Sequence, residues 1–101
     1  MALLQKTVEQ RDLQELTVTE AYEAEPFPNA RTLTVIDERR SPWTFVYRVT
    51  RRGRVLSGPR WQDFIRHNRV QVGDTVSIER NDGHGYQAPY KIEIIRNSRN
   101  S

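Results

Sequence analysis

Four arginines, Arg48, Arg51, Arg52 and Arg54, fall within one stretch of seven residues, with Thr50 among them. A guanidinium is a planar fork of donors that fits phosphate oxygens, or the O6 and N7 of guanine, with two parallel hydrogen bonds; an ammonium has no such fit. A good bidentate base contact discriminates by about 1–3 kcal/mol, whereas phosphate contacts add affinity and salt dependence without reading sequence. The cluster sits in a wider imbalance. Residues 39–69 hold nine arginines against Asp63 alone, while residues 1–28 hold Lys6 and Arg11 against six acids. Such asymmetry points to an acidic partner, nucleic acid first. The competing reading is a solvated, charged hairpin that merely discourages pairing at a sheet edge. A second candidate group is Lys6, Gln10, Arg11 and Gln14, since glutamine can pair with adenine N6 and N7 and the two cations can hold phosphates. Glu9, Asp12 and Glu15 share that segment and would repel a polyanion backbone. Arg60 could touch a phosphate or cover apolar surface with its stem.

The elements that must position these side chains follow from hydrophobic period. Trp43, Phe45, Tyr47 and Val49 alternate with Thr44, Val46, Arg48 and Thr50, which predicts a strand with Arg48 and Thr50 opposite the aromatic face. The run Arg51-Arg52-Gly53-Arg54 predicts a turn with a displayed cationic tip, and Val55-Leu56 the returning strand. Ser57-Gly58-Pro59 opens a helix over 59–68, whose Trp61, Phe64 and Ile65 recur at i, i+3 and i+4. Elsewhere the pattern predicts strands near 3–8, 16–18, 32–36, 75–79 and 90–95, a loop or single loose turn over 9–15, and a short helix over 20–25 ended by Pro26 and Pro28. Phe27, between two prolines, reads as a core plug. Residues 81–85 read as a hairpin loop and 97–101 as a fraying polar tail. Seven short strands and two short α-helices in one small chain imply a mainly β fold, a sheet curled into an open barrel with helices at its ends. The expected core is Trp43, Phe45, Tyr47, Leu56, Trp61, Phe64, Val76, Ile78, Ile92 and Ile94; both tryptophans belong to apolar patterns and are read as packing residues rather than base-stacking platforms.

Several classes are disfavoured. A chain of 101 residues is sized for one domain, here residues 1–101 with a core over about 3–96. With no cysteine there are no disulfides, thiolate nucleophiles or cysteine-held zinc. No apolar run approaches a membrane span of about 20 residues, and the start lacks the long apolar region of a signal peptide, so a soluble intracellular chain is expected. His67 and His84 are far apart and lack acidic or thiol company, so no metal is expected. Asp37, Glu38, Asp63 and Asp74 form no recognisable catalytic pair, and Gly83-His84-Gly85 lacks the strand and helix that frame a phosphate-binding loop. Neither an enzymatic activity, a cofactor nor a small-molecule substrate is expected.

The ordered string Trp43-x-Phe45-x-Tyr47, Val55-Leu56, Trp61-x-x-Phe64 and Asn68-x-Val70-x-x-Gly73-Asp74-x-Val76 resembles the plant-type B3 DNA-binding domain. Leu4-Gln5-Lys6, Asp12 and Phe27-Pro28 are similar to that family's first strand, its Asp before the first loop, and its Phe-Pro ahead of the third strand. The resemblance spans about 3–95. It implies a seven-stranded pseudobarrel with two helices that grips the major groove of double-stranded DNA between two arms, as part of a nuclear transcription regulator. The first arm would be residues 7–16, with Gln10, Arg11 and Gln14 in it and Lys6 just ahead of it; the second would be 48–54, carrying Arg48, Thr50, Arg51, Arg52 and Arg54, with help from residues leading into the second helix, where Arg60 sits at the entrance. The chain departs from the family pattern in a shorter, more acidic first arm, a shorter second arm, and Pro59-Arg60 where a glycine usually precedes the helix tryptophan, Gly58 lying upstream. The alternative is a B3-like scaffold that binds other regulatory proteins and DNA only weakly.

Overall fold

The computed structural model describes residues 3–18, 31–81 and 89–97. The expected helix at 20–25, Phe27, His84 and the tail from 98 onward lie outside them. Among the described residues there are seven strands: β1 (Leu4–Thr7), β2 (Leu16–Val18), β3 (Thr32–Ile36), β4 (Pro42–Thr50), β5 (Gly53–Ser57), β6 (Thr75–Arg80) and β7 (Tyr90–Ile95). An α-helix, α1 (Pro59–His67), follows β5, and a 3-10 turn spans Gln10–Leu13 inside the segment expected to be a loop or loose turn. The strands form one sheet in the order β1-β6-β7-β3-β4-β5-β2. All neighbours are antiparallel except β3 and β7, which run parallel through Val35 opposite Tyr90 and Ile36 opposite Lys91. The sheet is a nearly closed, barrel-shaped pseudobarrel, as the strand pattern predicts.

The alternation written into the sequence is seen along β4 as far as Arg48, whereas Val49, expected on the aromatic face, is exposed where the strand runs out to the hairpin tip. Along β4, Trp43, Phe45 and Tyr47 are buried, and Thr44, Val46 and Arg48 exposed. All ten expected core residues are buried, joined by Leu4, Val8, Leu16, Val18, Leu33, Val35, Ile65 and Val70. The helix end of the core is aromatic. Phe45 meets Trp61 edge-on at 5.1 Å and Trp43 meets Phe64 edge-on at 5.3 Å between ring centroids, the offset geometry that aromatic quadrupoles favour. The indole N–H of Trp43 donates to Asp37 Oδ2 at 2.9 Å, and that of Trp61 to the Asp12 carbonyl at 2.9 Å. Neither indole is left as a stacking surface.

Helix α1 starts sharply because Gly58 caps it at φ 101° and Pro59 occupies the first turn. A Cβ at Gly58 would lie 3.0 Å from Val46 Cγ2, so backbone angle and space both require glycine here. The glycine missing immediately before Trp61 therefore has its work done three residues upstream of that tryptophan.

The seam of the barrel lies between its edge strands, β1 and β2, which residues 8–15 connect along the chain. A buried polar hub replaces backbone pairing there. Asp12 is 0 % exposed and accepts from Glu9 N at 2.8 Å and Thr17 N at 3.3 Å, while its Oδ2 pairs with Lys6 Nζ at 2.9 Å. Lys6 Nζ also donates to the Thr17 carbonyl at 2.7 Å, tying β1 directly to β2. At the root of this segment, Val8 N donates to Asp74 O and Gly73 N to Val8 O, at 2.8 and 3.0 Å.

Candidate nucleic-acid interface

Because β2 pairs with β5, and β5 with β4, the 8–15 segment and the β4–β5 hairpin stand side by side on the outer face of the sheet. A groove of about 640 Å³ runs between them. Arg11, Gln14 and Glu15 line it from the first arm, Arg52 from the hairpin, and Thr17, Ser57, Gly58 and Gln62 form the floor and the helix side. Sequence reasoning named Arg11, Gln14 and Arg52 among these. Ser57 and Gly58 lie in the lead-in to the helix that the resemblance implicates only as a stretch, and Thr17 and Gln62 are not among the expected residues, since neither carries a charge to mark it.

The hairpin closes through a two-residue turn, Arg51-Arg52, with Thr50 opposite Gly53. Thr50 Oγ1 donates to the Gly53 carbonyl at 3.2 Å and accepts from Arg52 N at 3.1 Å, while Gly53 takes φ 133°, a value that side chains disfavour. Both tip arginines are exposed, and among the described residues neither has an ion pair. Arg48 and Thr50 lie on the exposed outer face, as the alternation predicts.

Two expected contact residues are placed differently. Arg54 is not part of the displayed tip: it stands opposite Val18 and Val49, on the same side of β5 as Leu56, and is only 9 % exposed. Lys6 lies between Leu4 and Val8 on the inward side of β1, and its ammonium is engaged by Asp12 and the Thr17 carbonyl. In both cases period-2 alternation wins over charge. The stem of each residue follows its strand neighbours inward, and for Lys6 a buried carboxylate compensates the ammonium. Arg60 is half exposed, with its guanidinium 4.7 Å from the Trp43 ring centroid and 3.4 Å from Asp63, and it does not line the groove. Gln10 is exposed at the start of the 3-10 turn.

The acids of the first arm are accounted for one by one. Asp12 points into the seam, Glu9 lies 3.6 Å from Lys6 and 4.0 Å from Arg11, and Glu15 Oε2 is 3.7 Å from Arg48 Nη2. The groove therefore meets solvent with Arg11 and Arg52 on its walls and one partly compensated carboxylate near its floor. Among the described residues no three His, Asp or Glu side chains are grouped as metal ligands, and no helix is long and apolar enough to cross a membrane.

Residues 6–98 match the family model described as the B3 DNA binding domain. The chain belongs to the B3 family. Among solved structures it is similar to the Arabidopsis FUS3-DNA complex, with a TM-score of 0.72 and 23 % identity over 97 % of this chain and 100 % of that one. It is also similar to a hypothetical Arabidopsis thaliana protein, with a TM-score of 0.61 and 15 % identity over 91 % of this chain and 85 % of that one. At these identities the structural matches speak to the fold. No curated protein sequence matches the chain. As a B3 domain it is a double-stranded DNA-binding module of the transcription-factor type, in a family whose fold serves binding rather than catalysis.

Proposed function

We propose that the two arms flanking the groove dock on the major groove of duplex DNA, whose backbone is held by Arg51 and Arg52 of the hairpin and Arg11 of the first arm. The observation that carries this reading is the groove itself: exposed cations on both of its walls, set around polar groups that include Gln14, Thr17, Ser57 and Gln62. Uncharged donors and acceptors suit base edges, and cations suit phosphates. Gln10, Gln14, Arg48 and Thr50 are the side chains offered to bases. Arg60 is offered a flanking phosphate at most, and Lys6 and Arg54 support the arms from inside. The working unit is a single domain over about 3–96, acting in the nucleus as the recognition part of a transcription regulator.

The test is a salt-dependent titration of duplex DNA with Arg51→Ala/Arg52→Ala. For every phosphate that the protein no longer neutralises, the slope of log affinity against log salt should fall by about 1, at every DNA sequence. An unchanged slope and affinity would remove the hairpin from the interface. Absence of binding to random duplex by the unaltered protein at low salt would favour a scaffold for protein partners.

A further inference from the structure

An ion pair, Arg48–Glu15, joins the two arms across the sheet. Arg48 lies on β4 and Glu15 immediately precedes β2, with β5 between the two strands. In register, Arg48 stands opposite Val55, and Val55 opposite Thr17, so the three residues form a row across the outer face. Val55 is 3 % exposed although it lies outside the core cluster, whereas Arg48 and Glu15 keep side-chain exposures of 53 % and 47 %. The pair thus bridges the base of the two arms over a buried valine, with about half of each charged group open to whatever enters. At 3.7 Å the contact leaves capacity on both partners: several guanidinium N–H groups and the other carboxylate lone pairs remain to be used.

A carboxylate at this place is unfavourable for phosphate and compatible with only some base edges. Seen from the major groove, a C·G pair shows two acceptors, N7 and O6, on the guanine, followed by the N4–H donor of the cytosine. An A·T pair shows acceptor, donor, acceptor. An arginine fork beside a carboxylate offers two donors followed by an acceptor, which complements the first pattern and leaves a mismatch with the second.

We infer that Arg48 and Glu15 act together as one reading unit for a C·G base pair, Arg48 on guanine and Glu15 on the cytosine amino group, with Glu15 at the same time keeping the DNA backbone away from the floor of the groove. This rests on the groove being the DNA site. It assigns to the acidic residue of a binding arm a specificity role rather than a defect in affinity.

The experiment starts from a duplex that the unaltered protein enriches from a random pool. Each cytosine in turn is replaced by N4-methylcytosine, which still pairs with guanine but carries a methyl in place of the amino hydrogen facing the major groove. At one position this should weaken binding of the unaltered protein by about ten-fold, the scale of one base contact. Glu15→Ala should show no such sensitivity at that position. Replacing the guanine of the same pair by 7-deazaguanine should weaken the unaltered protein and leave Arg48→Ala unaffected. Because the first and third comparisons use unaltered protein, they do not depend on how a variant folds. If the enriched duplex shifts the NMR signals of residues 48–57 but no cytosine is sensitive, or if Glu15→Ala keeps the sensitivity, the reading unit is refuted and the groove assignment stands. If no duplex is enriched, or the shifts lie away from the groove, both fall together.

Discussion

The segment from Val8 to Glu15 and the tip at Arg51-Arg52 face each other across one groove, yet they are held by different means. In the first, the buried carboxylate of Asp12, the Lys6 ammonium and the indole N–H of Trp61 tie the arm to the seam and the core. In the second, two exposed arginines are carried by a hairpin turn that needs only Thr50 and Gly53. The first arm commits its best-placed charges inward, where they determine its shape. The second leaves its charges outward, where they can meet a ligand. One arm thus acts chiefly as a positioned wall and the other as a cationic hook, and a substitution should separate stability from affinity according to the arm it falls in.

The largest effect is expected from Asp12→Ala. It leaves Lys6 without its buried counter-charge and the amides of Glu9 and Thr17 without their acceptor. Removing one member of a buried pair costs about 3–5 kcal/mol, which for a domain of this size lowers the melting temperature by roughly 10 °C or more. Denaturant unfolding measures it, with Asp12→Asn as the milder variant because an amide oxygen remains to accept. A loss below about 1 kcal/mol for the alanine would break the contrast between the arms.

Next comes Gly58→Ala. Its φ of 101° lies where side chains are rarely tolerated, and the new methyl would press on Val46 Cγ2 at 3.0 Å. The cost is on the order of 1–3 kcal/mol. Since Gly58 and Gln62 line the groove, chemical-shift changes should be largest from the start of α1 into β4 and the groove floor, and smaller in the 10–13 turn, which α1 reaches through the Trp61–Asp12 bond. Equal shifts at Gln10–Leu13 would mean that this one bond couples the helix side and the first arm as tightly as direct packing does.

Acid should loosen the root of the first arm and leave the hairpin tip alone. Burial of the Asp74 carboxyl disfavours its charge, but the N–H donors of Asn97 and Gln71 and the Arg96 guanidinium outweigh that and hold it below its ordinary 3.8. A depressed carboxyl contributes stability in full above the unfolded value, and that contribution is lost as pH falls through the folded one. The Asp74 turn is bonded to Val8 through backbone, so the amides of Val8 and Gly73 should lose exchange protection at the acid end. Asp74→Asn should abolish this pH response. An Asp74 midpoint at or above 3.8 by NMR titration would contradict it.

Much of this architecture could be read from the residues. The alternation of Trp43, Phe45 and Tyr47, and of Tyr90 to Ile95, defines strands because one face must be apolar whatever the partner, and Trp61, Phe64 and Ile65 define a helix face for the same reason. Polar partners were not legible. Lys6 and Arg54 attract notice as charges, although each sits in register with buried neighbours, Leu4 and Val8 in one case and Leu56 in the other. That register was the available signal. What it cannot supply is the compensating group, because Asp12 reaches Lys6 only once β1 and β2 become the two edges of a curled sheet. The Arg48–Glu15 bridge is hidden for the same reason, since it depends on β5 standing between β2 and β4.

The smallest change in stability is the most informative about the hook. Arg51 and Arg52 occupy a turn whose bonds are made by the Thr50 hydroxyl and by backbone, so replacing both side chains with alanine removes no bond that holds the hairpin. Unfolding free energy should change by no more than about 0.5 kcal/mol, as for surface positions away from packing or buried polar groups. The same double variant is expected to lose DNA affinity and salt dependence, so affinity and stability move apart. Arg54→Ala should do the reverse. Arg54 is only 9 % exposed and stands opposite the buried Val18, so truncation removes packing and should lower stability more than it lowers the salt slope. Measuring both quantities on both variants places the boundary between hook and frame at Gly53. If Arg54→Ala instead reduced the salt slope as much as the tip variant with no loss of stability, the boundary would have to be moved one residue further along β5.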